Sequence, residues 1–171
     1  MPVLAQYVQD QIGEGTELVI IAPDAGRVKL VRKFAQKVNA PYALLEKERP
    51  AQQVAEIGYV IGDVKDKTAV IVDDIIGTGS TLSAAAQTVL DEGAKRVFAV
   101  ATHGLFSGDA FSILTSGPLS GIVVTDTIPL RAGAPDLVTQ LTCADLLTDS
   151  IRRIFTDDSV SEVFGGENQL F

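Results

Sequence analysis

The stretch Val70-Ile71-Val72-Asp73-Asp74-Ile75-Ile76-Gly77-Thr78-Gly79-Ser80-Thr81 leaves this chain few folds to choose from. Its apolar, mostly β-branched opening, from Ala69 to Val72, reads as a strand buried on both faces of a parallel sheet. Two adjacent carboxylates end that strand and a Gly/Thr/Ser loop follows. Leu82, Ala85, Ala86, Val89 and Leu90 then recur at the spacing of one helical face. A strand, a tight turn and a helix N-terminus in that order can hold a small anion. Gly77 and Gly79 are expected at φ > 0, turning their N–H groups inward. The helix start adds unpaired N–H groups and a partial positive charge. Ser80 or Thr81 is expected to cap the helix or to donate a hydroxyl to a phosphate oxygen. Asp73 and Asp74 would repel a phosphate, so they suit sugar hydroxyls or a divalent cation. A phosphate grip at one end and hydroxyl acceptors at the other fit a phosphorylated sugar. The loop has no Lys for a Gly-x-x-x-x-Gly-Lys-Ser/Thr phosphate loop, and it departs from Gly-x-Gly-x-x-Gly.

The 171 residues are read as one domain, 1–171, long enough to bury a sheet between helix layers. A net charge of −8 argues against nucleic acid or an anionic membrane as partner, so an anionic ligand needs a locally positive site or a metal. The single cysteine, Cys143, excludes an intrachain disulfide framework and fits a reducing compartment. No apolar run reaches membrane-spanning length and no signal peptide is visible. The expectation is a cytoplasmic protein.

Leu4, Val8 and Ile12 mark a short amphipathic helix within Pro2–Ile12, ended by Gly13 and Gly15. Leu18–Ala22 is an apolar strand running into Pro23-Asp24-Ala25-Gly26-Arg27, and Val28, Val31, Ala35 and Val38 mark the next helix face. Tyr42–Leu45 is read as a strand, and Glu46-Lys47-Glu48-Arg49-Pro50 as an exposed loop or hairpin before a short strand, Tyr59–Ile61. Strands Arg96–Thr102, Ile122–Thr125 and Leu137–Leu141 follow, with a short helix over Asp109–Leu114 and a last amphipathic one carrying Ala144, Leu147, Ile151 and Ile154. Repeated strand–loop–helix order predicts an α/β fold, a three-layer parallel sheet flanked by helices. In open sheets of that kind ligands gather at the carboxyl ends of strands, where Asp24 and Asp73 lie. His103, the only histidine, stands at a strand end and reads as a hydrogen-bonded structural residue.

The apolar run, Asp73-Asp74, two apolar residues and Gly-Thr-Gly-Ser-Thr resemble the phosphoribosyl-diphosphate signature of the type I phosphoribosyltransferase fold. Other segments add to this in order: Pro23-Asp24-Ala25-Gly26, Lys47-Glu48-Arg49-Pro50, Ala101-Thr102-His103-Gly104 with Ser107-Gly108, Thr125-Asp126-Thr127-Ile128-Pro129, and Ser159-Val160-Ser161. With them the chain resembles the C-terminal half of the ribose-phosphate diphosphokinase family. The family's N-terminal half, which supplies much of the ATP site, has no counterpart here. The chain is expected to be a truncated form or a naturally short relative, incomplete for catalysis alone.

In that family the anomeric hydroxyl of ribose 5-phosphate attacks the β-phosphorus of ATP and AMP leaves, a transfer that needs alignment and charge neutralisation. The resemblance assigns Asp24 to Mg2+, Lys47 and Arg49 to transition-state charge, and Asp73 and Asp74 to the ribose hydroxyls. It assigns Gly77, Thr78, Gly79, Ser80 and Thr81 to the 5-phosphate. Ser159, Ser161 and Phe164 match a tail segment that in regulated members helps form an inter-subunit site for phosphate and ADP. A homo-oligomer is implied as well. There are departures: Gly77 stands where the family often has Asp, Arg27 where many members have a second Gly, and Glu48 where Arg is frequent. Two other readings compete, a free-standing type I phosphoribosyltransferase and a non-catalytic regulatory partner domain.

Overall fold

The computed structural model describes residues 2–48 and 57–164. Among them, seven strands form one sheet in the order β3-β2-β1-β4-β5-β6-β7. They are β1 Leu18–Ala22, β2 Tyr42–Glu48, β3 Ile57–Ile61, β4 Thr68–Ile76, β5 Arg96–Gly104, β6 Gly121–Thr125 and β7 Val138–Leu141. All neighbours are parallel except β2 and β3, which pair antiparallel from Leu44↔Ile61 to Glu48↔Ile57.

Alternation along the strands explains the layers, because successive side chains of a strand point to opposite faces. Ile20, Ala22, Val70, Val72, Val100 and Val123 join one buried cluster, whereas Val19, Ile21, Ala69, Ile71, Val97, Ala99, Ala101, Ile122 and Val124 join the other. The first cluster is closed by α1 (Pro2–Tyr7), which widens into a single π turn over Val8–Ile12, and by α2 (Val28–Lys37). Leu4, Val8, Ile12, Val31 and Phe34 supply its helical side. The second is closed by α3 (Ser80–Asp91) and α4 (Ala110–Ser116) through Ala85, Ala86, Val89, Ala110 and Leu114. Each fully buried aliphatic or aromatic side chain contributes about 1.5–3 kcal/mol, so both faces are strongly specified. The three-layer reading holds.

The sheet is mostly rather than wholly parallel. Glu46, Lys47 and Glu48 belong to β2, not to a loop, because β3 folds back on them and takes up their backbone hydrogen bonds. Polar residues are tolerated there at a sheet edge. Likewise β4 does not end at the two acids but carries Asp73 and Asp74 through to Ile76, paired along β5 as far as Gly104. Helix α5 (Ala144–Phe155) forms where its apolar spacing predicts, yet none of its residues is buried. Leu147, Ile151, Ile154 and Phe155 are 55–85% exposed.

The order of the strands also fixes where a ligand can sit. The chain leaves β1 toward β2 on one side and leaves β4 toward β5 on the other. The carboxyl ends of β1 and β4 therefore flank a switch point, the crevice that open α/β sheets use for ligands.

Candidate functional site

The loop Gly77-Thr78-Gly79 joins β4 to α3 at that crevice. Gly79 occupies the N-cap position of α3 with φ +80°, and no side chain caps the helix. Only glycine satisfies this corner, since a Cβ on Gly79 would lie 2.7 Å from Cγ of Leu114, a residue with no exposed surface. Gly77 differs from the sequence expectation. It is not left-handed, and a Cβ there would meet nothing within 4 Å. The turn is made at one residue, not two. Capping by Ser80 or Thr81 is also corrected: the cap falls on Gly79, which places both hydroxyl residues inside the first turn, exposed. First-turn N–H groups without a side-chain cap are what an anion site at a helix start requires.

A cavity of about 290 Å³ opens on this turn, and Asp73, Gly77, Thr78, Gly79 and Thr81 line it together with Pro23 from the end of β1. The 104–108 loop braces it from behind. The N–H groups of Leu105 and Phe106 donate to the Ile76 carbonyl, and that of Ser107 donates to Gly77 O at 3.1 Å. Arg131 then donates through Nη1 to Phe106 O at 2.6 Å. Sequence reasoning missed this clamp; the one signal was a single basic residue among the breakers of the 126–135 loop.

The acidic end is held by Arg27. Its Nε lies 2.9 Å from Asp73 Oδ1 and its Nη2 lies 2.7 Å from Asp74 Oδ1. The Asp74 N–H also donates to Asp73 Oδ1, at 2.8 Å. Asp24 accepts the Arg27 N–H on Oδ1 at 3.1 Å and so fixes the base of that side chain. Burial pushes the Asp73 carboxyl above its ordinary value, with the neighbouring Asp74 adding to the rise and Arg27 opposing it. Asp74 is held below the ordinary value: desolvation works upward, but hydrogen bonding with Asp73 and the Arg27 charge outweigh it.

These directions give opposite contributions to stability. Asp74, depressed, stabilises the fold above the unfolded value of 3.8, and that contribution is lost as pH falls through its folded value. Asp73, raised, opposes folding at neutral pH and is relieved on acidification. Asp63, lowered chiefly by its hydrogen bond from Lys67 at 2.6 Å, acts in the same sense as Asp74. We expect the melting temperature to fall as pH drops below about 4 and the Asp74→Asn variant to show a flatter decline than wild type. Melting curves from pH 3 to 7 on both proteins check this, and parallel curves would contradict it.

Several assigned residues lie elsewhere. Arg49 is outside the described residues, as are the side chains of Lys47 and Phe164. The backbone of Lys47 pairs with Gly58, and β2 continues past the last β1 pairing, Ala22↔Leu44. At about 3.3 Å per residue its last four residues carry the hairpin about 13 Å beyond β1, at the carboxyl edge of the sheet. Leu45 and Gly58 line a recess shared with Ser80 and Thr81, so the hairpin stands beside the α3 start. Ser159 and Ser161 hydrogen bond to each other at 2.7 Å, on a short turn tied to α5 by Arg153, which reaches Glu162 at 2.6 Å. His103 bonds to Thr127 Oγ1 at 2.8 Å, in keeping with a structural role. Among the described residues no cluster of three or more His, Cys, Asp or Glu side chains could hold a metal by itself. Asp24 retains Oδ2 outside its capping bond, and a magnesium ion commonly takes one or two carboxylates together with water and substrate phosphates. Asp24 fits such an ion; the Asp73/Asp74 pair, already filled by Arg27, does not.

Sheet order and switch-point loop define the phosphoribosyltransferase fold. The chain aligns with an adenine phosphoribosyltransferase at a TM-score of 0.54 and 16% identity, over 70% of this chain and 73% of that one. The profile of the phosphoribosyl synthetase-associated domain matches residues 35–165, and the chain belongs to that family. It is 40% identical over 168 residues to a ribose-phosphate pyrophosphokinase of Clostridium acetobutylicum, covering 98% of this chain and 53% of the relative. The corresponding protein of a Nostoc species is 45% identical over 166 residues, covering 95% of this chain and 49% of the relative. The phosphoribosylpyrophosphate synthetase structure from Mycobacterium smegmatis superposes at a TM-score of 0.80 with 33% identity, over 90% of this chain and 50% of that one. The chain thus spans about half the length of the relatives it matches. Among the described residues no helix is long and apolar enough to cross a membrane.

Proposed function

We propose that this chain is the sugar-phosphate-binding half of a ribose-phosphate pyrophosphokinase, acting in diphosphoryl transfer from ATP to ribose 5-phosphate. The observation that carries the reading is the single cavity in which a glycine-turned helix start and Asp73 face the same space. The 5-phosphate sits on the Gly77–Thr81 N–H groups, with hydroxyls of Thr78, Ser80 and Thr81 in reach. The ribose hydroxyls donate to Asp73 and Asp74. The anomeric oxygen then attacks the β-phosphorus of ATP, its proton is released, and the bond to the AMP oxygen breaks.

Lys47, on the end of β2 that extends past β1, and Arg49 supply positive charge to the transferring group. Asp24 holds Mg2+, which neutralises phosphate charge when bound. The nucleotide site draws on the half of the relatives' length that this chain does not span, and a homo-oligomer in the cytoplasm belongs to the same proposal. Calorimetry with magnesium present tests the reading. Ribose 5-phosphate is expected to bind at least a hundredfold more tightly than ribose, because the phosphate grip is the larger part of the site. Equal binding of the two sugars, or none of either, would refute it. Mixed with ATP and ribose 5-phosphate, the 171-residue chain alone is expected to release no AMP.

A further inference from the structure

Two carboxylates side by side on one strand, facing a phosphate site, need a counterion. Here the Arg27 guanidinium pairs with both acids: Nη2 donates to Asp74 Oδ1 at 2.7 Å and Nε lies 2.9 Å from Asp73 Oδ1 as an ion pair. It engages Oδ1 of each and leaves Oδ2 of each outside its fork. Asp24 pins the backbone of the same residue, so the arginine is anchored at both ends.

We propose that Arg27 is a positioning residue and the resident counterion of the sugar end: it fills the place against Asp73 and Asp74 that a divalent cation would otherwise take, so that ribose 5-phosphate binds there without metal. This rests on the sugar-phosphate reading given above. A guanidinium is permanently charged, planar and forked, so it can neutralise one unit of the pair's charge and hold both carboxylates in a fixed orientation. The remaining oxygens then stand ready for two neighbouring hydroxyls. Because the cation is part of the chain, no chelator removes it. The magnesium proposed at Asp24 is left to the diphosphate end of the reaction, not to sugar capture. The direction of the contact is also specific: a lysine would bring a point charge to one acid and lose the two-acid fork.

Calorimetric titration of ribose 5-phosphate into wild type, Arg27→Gly and Arg27→Lys, each in EDTA and in magnesium, tests the proposal. Direct Mn2+ binding, followed by water-proton relaxation without sugar, gives a second readout. Wild-type affinity is expected to change less than about threefold between EDTA and magnesium. Arg27→Gly is expected to lose about tenfold or more in EDTA, to regain it with magnesium, and to bind Mn2+ more tightly than wild type. Arg27→Lys should fall between them. A wild type that loses more than about tenfold in EDTA, or an Arg27→Gly variant that binds as well as wild type in EDTA, overturns the proposal while leaving the sugar-phosphate reading intact. No binding by any variant in either condition overturns both.

Discussion

Replacing Gly79 with valine is expected to abolish sugar-phosphate binding and to cost the fold about 2–6 kcal/mol. Two independent effects add. The residue holds φ +80°, a conformation that β-branched side chains rarely adopt, and its Cβ would lie 2.7 Å from Leu114 Cγ. Leu114 is wholly buried beside α3 and cannot give way without disturbing the core. Relief would require turning the Gly79 peptide, which moves the N–H groups that the phosphate needs. A domain of ordinary stability has about 5–15 kcal/mol in total, so the variant should stand close to its unfolding threshold. Urea denaturation and ribose 5-phosphate calorimetry read the two losses separately. Gly77→Ala is the control, expected within about 1 kcal/mol of wild type because neither space nor backbone angle forbids a methyl group. Equal damage at the two glycines would contradict the account of the turn.

The second large effect is expected from the double variant Asp73→Ala, Asp74→Ala, which removes both acceptors. A hydrogen bond from a hydroxyl to a carboxylate contributes about 1.5–3 kcal/mol, so losing two weakens binding by roughly a hundredfold to ten-thousandfold. The fold should survive, because both acids and Arg27 are only partly buried. The sharper reading is the ratio of affinities for ribose 5-phosphate and its 2-deoxy analogue. Wild type should favour ribose 5-phosphate, and the double variant should bind both alike. An unchanged ratio would move the sugar hydroxyls to other residues.

Local pattern made much of this legible. Leu18–Ala22 and the Val28–Lys37 helix stand where their apolar spacing put them, and the Val70–Thr81 stretch carries the turn and the acids as a unit. What pattern could not carry was contact across the chain. Gly77 and Gly79 are alike in sequence, and only the folded chain shows that one of them holds a left-handed φ and packs against Leu114, far along the chain. Arg27 reads as a loop cation until β1 and β4 lie side by side and its side chain reaches Asp73 and Asp74, the latter 47 positions away. The charges of Glu46-Lys47-Glu48 suggested a loop, because the partner that makes them a strand, Ile57–Ile61, comes after a polar stretch with no strand signal. The apolar stripe of α5 has the spacing of a core helix, yet Leu147, Ile151 and Ile154 are exposed. Periodicity names a face; it does not name what covers it.

A structure of the chain with ribose 5-phosphate is the most direct measurement. Phosphate density on the N–H groups of residues 77–81, with the ribose hydroxyls against Asp73 and Asp74, is the predicted result. Phosphate bound anywhere else, or a Gly79 corner whose amides turn away from it, would contradict the assignment of this site.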